Sequence, residues 1–530
     1  MIIQDSLSSD QTKLNNARQF LTSISEQNYS WLLQALVTIL SSVGLEPTIR
    51  QQAGLQAKLL LQNHDKFSAQ DYNVQMSISD NLLRILGTET WRPSTVGVCL
   101  QSLFESCMTS EWSQSHLIPA LVHNVSSNIA TVHSIETLGY LCATQDQKNV
   151  IEDNIDQILT GVMFCVTQDD PVIRTTALSA LLECVPCATV NIARQSERDY
   201  IMQHVCQCTQ DTCDQVTCLA LECLNKIVTC FFPLMEDYLV PALIPISMQA
   251  LQSDKERQVM LGVEFWCNIC DLEESVAVED NYLQELFTRN PDTLTTLLNS
   301  LLKLIIKHSD TEYDLDTWCV TSAGLQCLCL MSRCFSTPVH HHITNFIQFN
   351  ISSDNISVMF TAVTSISSLL SMEDQQSLSA VIASFLSLAE NLLISNSPDK
   401  IQYAASYVIN QISEVAVDVI RADDNFFRTY LQLCLSCLHS KDTKVIENSC
   451  YSLGNVFRNQ NRVSSNEEMF IKILSQLLSL SDSASLNNVL NQSVSSCLID
   501  LIENCPQNLQ KYLGKIIQCN PSNSPFQYVI

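Results

Sequence analysis

The chain is poor in glycine, proline and basic charge, and each shortage excludes something. Its 530 residues include only ten Gly and fourteen Pro, and long alternating Val/Thr/Tyr runs are absent, so the composition predicts an all-helical protein. The ten Gly, at 44, 54, 87, 97, 139, 161, 262, 324, 454 and 514, are too scattered for a Gly-x-x-x-x-Gly-Lys or Gly-x-Gly-x-x-Gly loop, which excludes nucleotide binding through such loops. Lys and Arg number 28 against 55 Asp and Glu, a formal net charge of -27. Direct nucleic-acid binding needs a basic stripe and is not expected, whereas basic protein partners are favoured. The apolar window Leu239 to Met248 is broken by Pro241 and Pro245 and is far short of the roughly 20 residues of a membrane span. No membrane span is expected.

Cysteine runs against this sparseness. There are 24 Cys, and they fall at apolar helix positions behind an N-terminus without signal-peptide character. They read as reduced, buried thiols of a cytosolic or nuclear protein. Three Cys-x-x-Cys pairs (Cys184/Cys187, Cys267/Cys270, Cys434/Cys437) are too far apart for one zinc site and read as shared helix stripes. His340, His341 and His342 are adjacent, so on a helix they diverge and do not form a metal site. No acid/base pair stands out from caps and solvated faces. No catalytic residue, cofactor or metal is expected, and the protein does not read as an enzyme.

What the chain has is a repeat. From Glu197 to Cys270 two helical hairpins superpose, with Ala220-Leu221 and Leu224 matching Gly262-Val263 and Trp266: a small residue, a large apolar one, then an apolar residue four on from the small. Carried outward, the register marks Gly54, Cys99, Ser134, Ala177, Ala220, Gly262, Gly324, Ala362, Ala405, Ser449 and Ser493, at spacings of about 45, 35, 43, 43, 42, 62, 38, 43, 44 and 44. HEAT and armadillo units run roughly 40 to 47 residues. The apolar position four on is Leu103, Leu138, Leu181, Leu224, Trp266, Leu328, Ile366, Ile409 or Leu453. Turn-and-cap sequences announce the second helices: Asp170-Pro171-Val172-Ile173-Arg174, Asp211 to Asp214, Ser253 to Lys255, Ser397 to Asp399, and Lys441 to Thr443. With Leu117-Ile-Pro119-Ala-Leu121 and Leu239-Val-Pro241-Ala-Leu243 these form a HEAT signature. The expected fold is an all-α HEAT-repeat superhelical solenoid of about eleven or twelve hairpins. The long spacing implies an insertion, partly in the acidic stretch 271–290 and partly in a loop from His308 to Trp318. Residues 520–530 read as a loose tail.

The segment Leu86-Gly-Thr-Glu-Thr-Trp-Arg-Pro-Ser94 resembles the karyopherin-β family of nuclear transport receptors, specifically importin-β. So do Ala53 to Lys58, Trp112 with Leu117-Ile-Pro119, Leu138 to Cys142, Ser196 to Gln203, Met235 to Leu243 and Gly262 to Asn268. The likeness is collinear over about 8–334 and fainter to about 460. It reads as a divergent importin-β, short at the C-terminus.

The resemblance implies a receptor that carries cargo through nuclear pores, with release driven by the GTP form of the Ran GTPase. It divides the chain into a Ran-binding region (1–145, with Lys58 and Trp91 at matching helix positions), a nucleoporin-binding region (146–270), repeats with an acidic loop (271–334), cargo-binding repeats (335–519) and the tail (520–530). It implies a groove for Phe-Gly nucleoporins at Leu159, Thr160, Met163, Glu197, Tyr200 and Ile201. By spacing alone, Leu159, Met163 and Ile201 read equally as interrepeat core. Asp310, Glu312, Asp314, Asp316 and Trp318 match a family loop that meets basic segments of Ran and cargo. The cargo-gripping Trp positions correspond to Asn355, Ser406 or Tyr407, and Tyr451, of which Tyr451 keeps a clearly aligned aromatic. The implied partners are Ran, Phe-Gly nucleoporins and a basic cargo or importin-α-type adaptor, in cytoplasm and nucleus with enrichment at the nuclear envelope. The alternative is a HEAT-repeat structural scaffold for a protein complex.

Overall fold

The fold is a computed structural model that describes residues 2–105, 112–144, 147–275, 282–372, 374–393, 397–458, 467–483 and 488–505. The expected tail at 520–530 and residues 276–281 of the acidic stretch lie outside these. Among the described residues every regular element is helical. By compactness the chain divides into two units, Met1–Ser247 and Met248–Ile530.

All eleven register residues are buried and lie in helices. We number those helices α1 (Pro47–Leu61), α2 (Thr95–Glu105), α3 (Thr131–Cys142), α4 (Pro171–Cys184), α5 (Asp214–Phe231), α6 (Glu256–Ser275), α7 (Val320–Asn350), α8 (Ile356–Thr364), α9 (Asp399–Val415), α10 (Thr443–Arg458) and α11 (Asn488–Glu503). Within the first unit α1 to α5 stack in order, and within the second α6 to α11 do the same. The small residues permit this close stacking. At Gly139 of α3, for example, a Cβ would sit 3.1 Å from the Ala180 Cα of α4. The apolar residues four on are buried as well, Trp266 among the most completely. This is the HEAT-repeat solenoid class that the periodicity predicts.

Caps and ladders explain where the second helices begin. Asp170 accepts from the Val172 amide at 2.8 Å, with Pro171 opening α4 where its missing N–H costs nothing. Arg174, one turn on, donates to the Gln168 and Asp169 carbonyls at 2.8 and 2.7 Å and pairs with Asp211 of the next repeat at 2.8 Å. Asp442 accepts from the Lys444 amide at 2.9 Å at the start of α10. Two expected caps differ. Asp214 is the first residue of α5 and not its cap, while Asp211 accepts from the Cys213 amide at 2.8 Å, and α9 follows Pro398 with no side-chain cap.

The insertion also differs from a simple loop. Residues Tyr282–Arg289 form a short helix before the first helix of the repeat, Pro291–His308. Helix α7 is kinked at Phe335 and Ser336, ahead of Pro338, so its C-terminal part serves as the first helix of the following hairpin. After α8 the chain tightens into a 3₁₀ turn, Ser365–Ser371, which carries Ile366. The segment Asp214–Leu234 is, by length and composition, long and apolar enough to cross a membrane, and it exceeds the window at 239–248. Its Val216, Ala220, Leu224, Ile227 and Val228 are buried in the stack, as in the core helix of a repeat protein.

Candidate functional site

The segment 86–94, which carries the clearest family likeness, is a clasp between α1 and α2. Gly87 has φ +84, a conformation suited to glycine. The buried Glu89 carboxylate accepts from the Thr95 and Val96 amides at 2.8 and 3.0 Å and from the Ser94 hydroxyl at 2.6 Å, satisfying the free N–H groups that open α2. Thr88 holds the buried Arg50 guanidinium at 3.1 and 2.9 Å, and Arg50 lies 5.2 Å from the centre of the Trp91 ring. Trp91 therefore lies in the turn before α2 and not on a helix, with its indole N–H donating to the Thr95 hydroxyl at 2.7 Å. Lys58 is half-buried on α1. Nearby, burial pushes the Cys99 thiol up to about 12.

The six groove positions lie on two neighbouring first helices, Lys148–Val166 and Gln195–Cys208. Leu159, Met163 and Ile201 are buried in the packing, while Thr160 and Tyr200 are exposed. Apolar surface on this face comes from Tyr200, 46% exposed, and from Phe164, 45% exposed, which the sequence reading passed over. Phe164 lies four residues after Thr160, on the same helical stripe, and that spacing was the available signal. The Tyr200 ring packs edge-on to His204 with centroids 4.4 Å apart.

A polar clamp joins the two helices. The buried Asn191 side chain donates to Asp156 on the first at 2.6 Å and to Glu197 on the second at 2.7 Å. Arg194 pairs with Glu197 at 2.9 Å and approaches Asp156 at 3.8 Å, and its hydrogen bond to Glu197 raises its pKa. Glu197 is thus a structural pin between the two helices.

The acidic loop, 309–319, runs from the Pro291–His308 helix to α7 and lies across the first turns of three successive second helices. Asp310 bonds to the Ser357 hydroxyl of α8 and lies 3.8 Å from Lys400 of α9. The Leu315 amide donates to the buried Tyr403 hydroxyl of α9 at 2.8 Å. Asp314 pairs with Lys444 of α10, and Asp316 lies 4.0 Å from the same ammonium. Ser357, Lys400 and Lys444 each stand five residues before a register residue, Ala362, Ala405 and Ser449, so one position in three repeats receives the loop. Tyr313 packs edge-on to Tyr403 and Phe360, at 5.9 and 6.3 Å between centroids, and dilutes the acidic run with a packing contact.

The electrostatics follow. Burial holds the Asp316 carboxyl above its ordinary value, and Asp314 adds to the effect. Burial also lowers Lys400, although Asp310 opposes it. For Lys444 burial works against the charge, but Asp314 and Asp316 outweigh it and raise its pKa. Glu312 and Trp318 are exposed, the indole at 64%.

Of the cargo positions, Tyr451 is 51% exposed on α10, with its hydroxyl 3.4 Å from that of Ser493. Asn355 instead caps α8, accepting from the Ser357 amide at 2.9 Å, Ser406 is buried in α9, and Tyr407 is half-buried. The three histidines diverge: His342 meets Asn299 at 3.1 Å and His341 meets Asn345 at 3.2 Å. Cys184, Cys270, Cys434 and Cys437 are buried helix residues, whereas Cys187 lies in a 3₁₀ turn after α4. Among the described residues no group of three or more His, Cys, Asp or Glu is placed to hold a metal ion.

No family model matches the chain. It is similar to importin subunit beta-1 of Schizosaccharomyces pombe, 23% identical over 483 residues that cover 86% of this chain and 55% of the relative. With importin subunit beta-1 of Arabidopsis thaliana it shares 26% over 432 residues, 76% of this chain and 49% of the relative. The chain thus spans about half the length of these curated relatives. The structure of yeast importin-β, Kap95p, matches with a TM-score of 0.84 at 20% identity, covering 98% of this chain and 62% of that one. The same protein also matches as a Kap95:Nup1 complex at a TM-score of 0.83 and in a study of its binding to RanGDP at 0.78, with the same coverage. In sequence and in fold, then, the chain is similar to importin-β, as its motifs indicate.

Proposed function

We propose that the chain is a non-enzymatic nuclear transport receptor of the importin-β kind, which binds Phe-Gly nucleoporins, Ran-GTP and a basic cargo or adaptor. The observation that carries this reading is the similarity to importin subunit beta-1 across 86% of the chain. The partners follow by analogy, since the similar Kap95 has been seen with Nup1 and with RanGDP. Two features of this chain support them. Phe164, Tyr200 and Thr160 give the 148–166 and 195–208 helices an exposed face, part aromatic and part polar, over a packed floor. A single Phe side chain meeting such a face binds weakly, and many repeats in one partner make the sum effective. The acidic loop offers Glu312 and Trp318 to a basic segment, while Asp310, Asp314 and Asp316 already have internal partners.

In this reading Ran-GTP and cargo oppose each other through the repeat stack, and the coupling is reciprocal, so cargo also weakens Ran-GTP binding. The chain works in cytoplasm and nucleus and gathers at the nuclear envelope. The test is capture on an immobilised Phe-Gly nucleoporin fragment, together with imaging of the tagged chain. Salt-tolerant capture and nuclear-rim staining are expected. Absence of both would favour the scaffold alternative.

A further inference from the structure

Phe164 has a counterpart in the second unit. The most exposed large apolar side chain among the described residues is Phe349, 85% exposed near the end of α7. It stands 13 residues before the register residue Ala362, just as Phe164 stands 13 before Ala177, and no other repeat carries an aromatic residue at that position. The two stretches align without a gap because the caps that follow them coincide. Asp170 and Asn355, each seven residues before the register, accept from the amides of Val172 and Ser357 at 2.8 and 2.9 Å. Thr160 and Asn345, each four residues before the aromatic, match as uncharged polar residues. The helix that carries Phe349 is well anchored: Ile343 is fully buried, His342 meets Asn299 of the Pro291–His308 helix at 3.1 Å, and Ile347 packs against the core around Phe360 and Ile382. The exposed ring is therefore carried by a packed helix and not by a loop tip, so a partner that meets it has little to order on this side.

Charge sets both faces apart from the rest of the chain. No Asp, Glu, Lys or Arg occurs from 157 to 168 or from 334 to 353, in a protein of net charge -27. A basic partner segment finds no counter-charge on either stretch, whereas an uncharged apolar one is not penalised there. We propose that the Phe349 face is a second docking surface for uncharged, phenylalanine-bearing peptide segments of the Phe-Gly kind. This rests on the transport reading given above and extends it to the second unit.

The surroundings rank the two faces. Leu159 and Met163, beside Phe164, are buried apolar residues, but the matching Thr344 is half-buried and Gln348 is exposed. Phe349 therefore offers its ring for aromatic packing without an apolar floor beside it, which makes its face the weaker of the two. In a partner with many Phe residues a weak second contact still counts, because once the first face is engaged the second encounter is intramolecular.

The test compares the full wild-type chain with Phe349→Ser, with the double variant Phe164→Ser/Tyr200→Ser and with the triple variant, measuring binding of a fragment that carries many Phe-Gly repeats. Since Phe349 is so exposed, Phe349→Ser should leave the unfolding midpoint unchanged, and Phe349→Tyr should keep wild-type binding. Fragment binding should weaken about threefold in Phe349→Ser, as loss of the weaker of two linked contacts implies. The double variant should retain a weak binding that the triple variant loses, and a photo-crosslinking peptide with one Phe-Gly repeat should mark residues 339–350 in the double variant. Equal binding by the double and triple variants, with the wild type still binding, would overturn this proposal and leave the first face standing. No binding by the wild type would remove both. Self-association of the wild type in sedimentation that Phe349→Ser abolishes would show that a second copy of the chain covers this face, and would also overturn the proposal.

Discussion

The groove face of Met1–Ser247 and the acidic loop of Met248–Ile530 are inverse cases of a candidate site. In the groove, half of the residues that the family likeness singles out (Leu159, Met163 and Ile201) are consumed by packing, and the free surface belongs to Tyr200, Thr160 and the unforeseen Phe164. In the loop the named residues are mainly at the surface, but three of the four carboxylates are engaged by Lys400, Lys444 or Ser357. A partner at the groove needs only to meet what is exposed. At the loop it must also compete with lysines of the same chain. Apolar matches to a family motif therefore have to be checked for burial, and charged matches for partners already present.

The largest way to break this comparison is through the groove floor. Leu159→Ala and Ile201→Ala should each lower stability by about 2–5 kcal/mol, as buried large-to-small changes do, measured by chemical denaturation of the whole chain. Losses below about 0.5 kcal/mol would mean these side chains are surface residues after all. Next in size, Tyr200→Ser and Phe164→Ser should leave stability within about 1 kcal/mol of wild type while weakening capture by a Phe-Gly fragment several-fold. Unfolding of Tyr200→Ser would return that position to the core.

The loop gives smaller effects. Lys444→Ala releases Asp314 and Asp316, so protease cleavage within 309–319 should speed up. Binding of a basic peptide should strengthen by a few-fold and become more sensitive to salt, since exposed charge is screened. Unchanged cleavage and affinity would show that the lysine does not restrain the loop. The smallest effect concerns pH. The folded-state pKa of Asp316 is raised by burial first and by Asp314 second, so the native state holds that proton more tightly than the unfolded chain. Its contribution to stability is therefore largest below its ordinary value and falls as pH rises through the raised one. Asp316→Asn should remove this penalty at neutral pH, by under about 0.5 kcal/mol after solvent screening. The difference should vanish below pH 3.8, the ordinary value. A titration of urea stability for both chains checks this.

How much was legible beforehand depends on the kind of interaction. The eleven register residues are all buried because helix stacking requires small side chains at a fixed period, and a period is visible in one dimension. Cap positions were legible where an Asp precedes its helix by one residue, as at Asp170, and misread where two Asp competed, as at Asp211 and Asp214. Contacts between elements were not legible. Nothing local joins Asn191 to both Asp156 and Glu197, or Arg50 to Thr88 and Trp91. The equivalence of Ser357, Lys400 and Lys444 was written in the register, but only the loop's path makes those positions meaningful. The family resemblance implies a helix position for Trp91, whereas Gly87 has already turned the chain and Trp91 lies in the turn before α2.

The proposal that this chain works as an importin-β-type receptor is tested most directly by the retention of Ran on the immobilised chain in two nucleotide states. The account predicts that GTP-locked Ran is retained more strongly than GDP-bound Ran and that basic cargo reduces the difference. Retention of neither form, or equal retention of both, would contradict it.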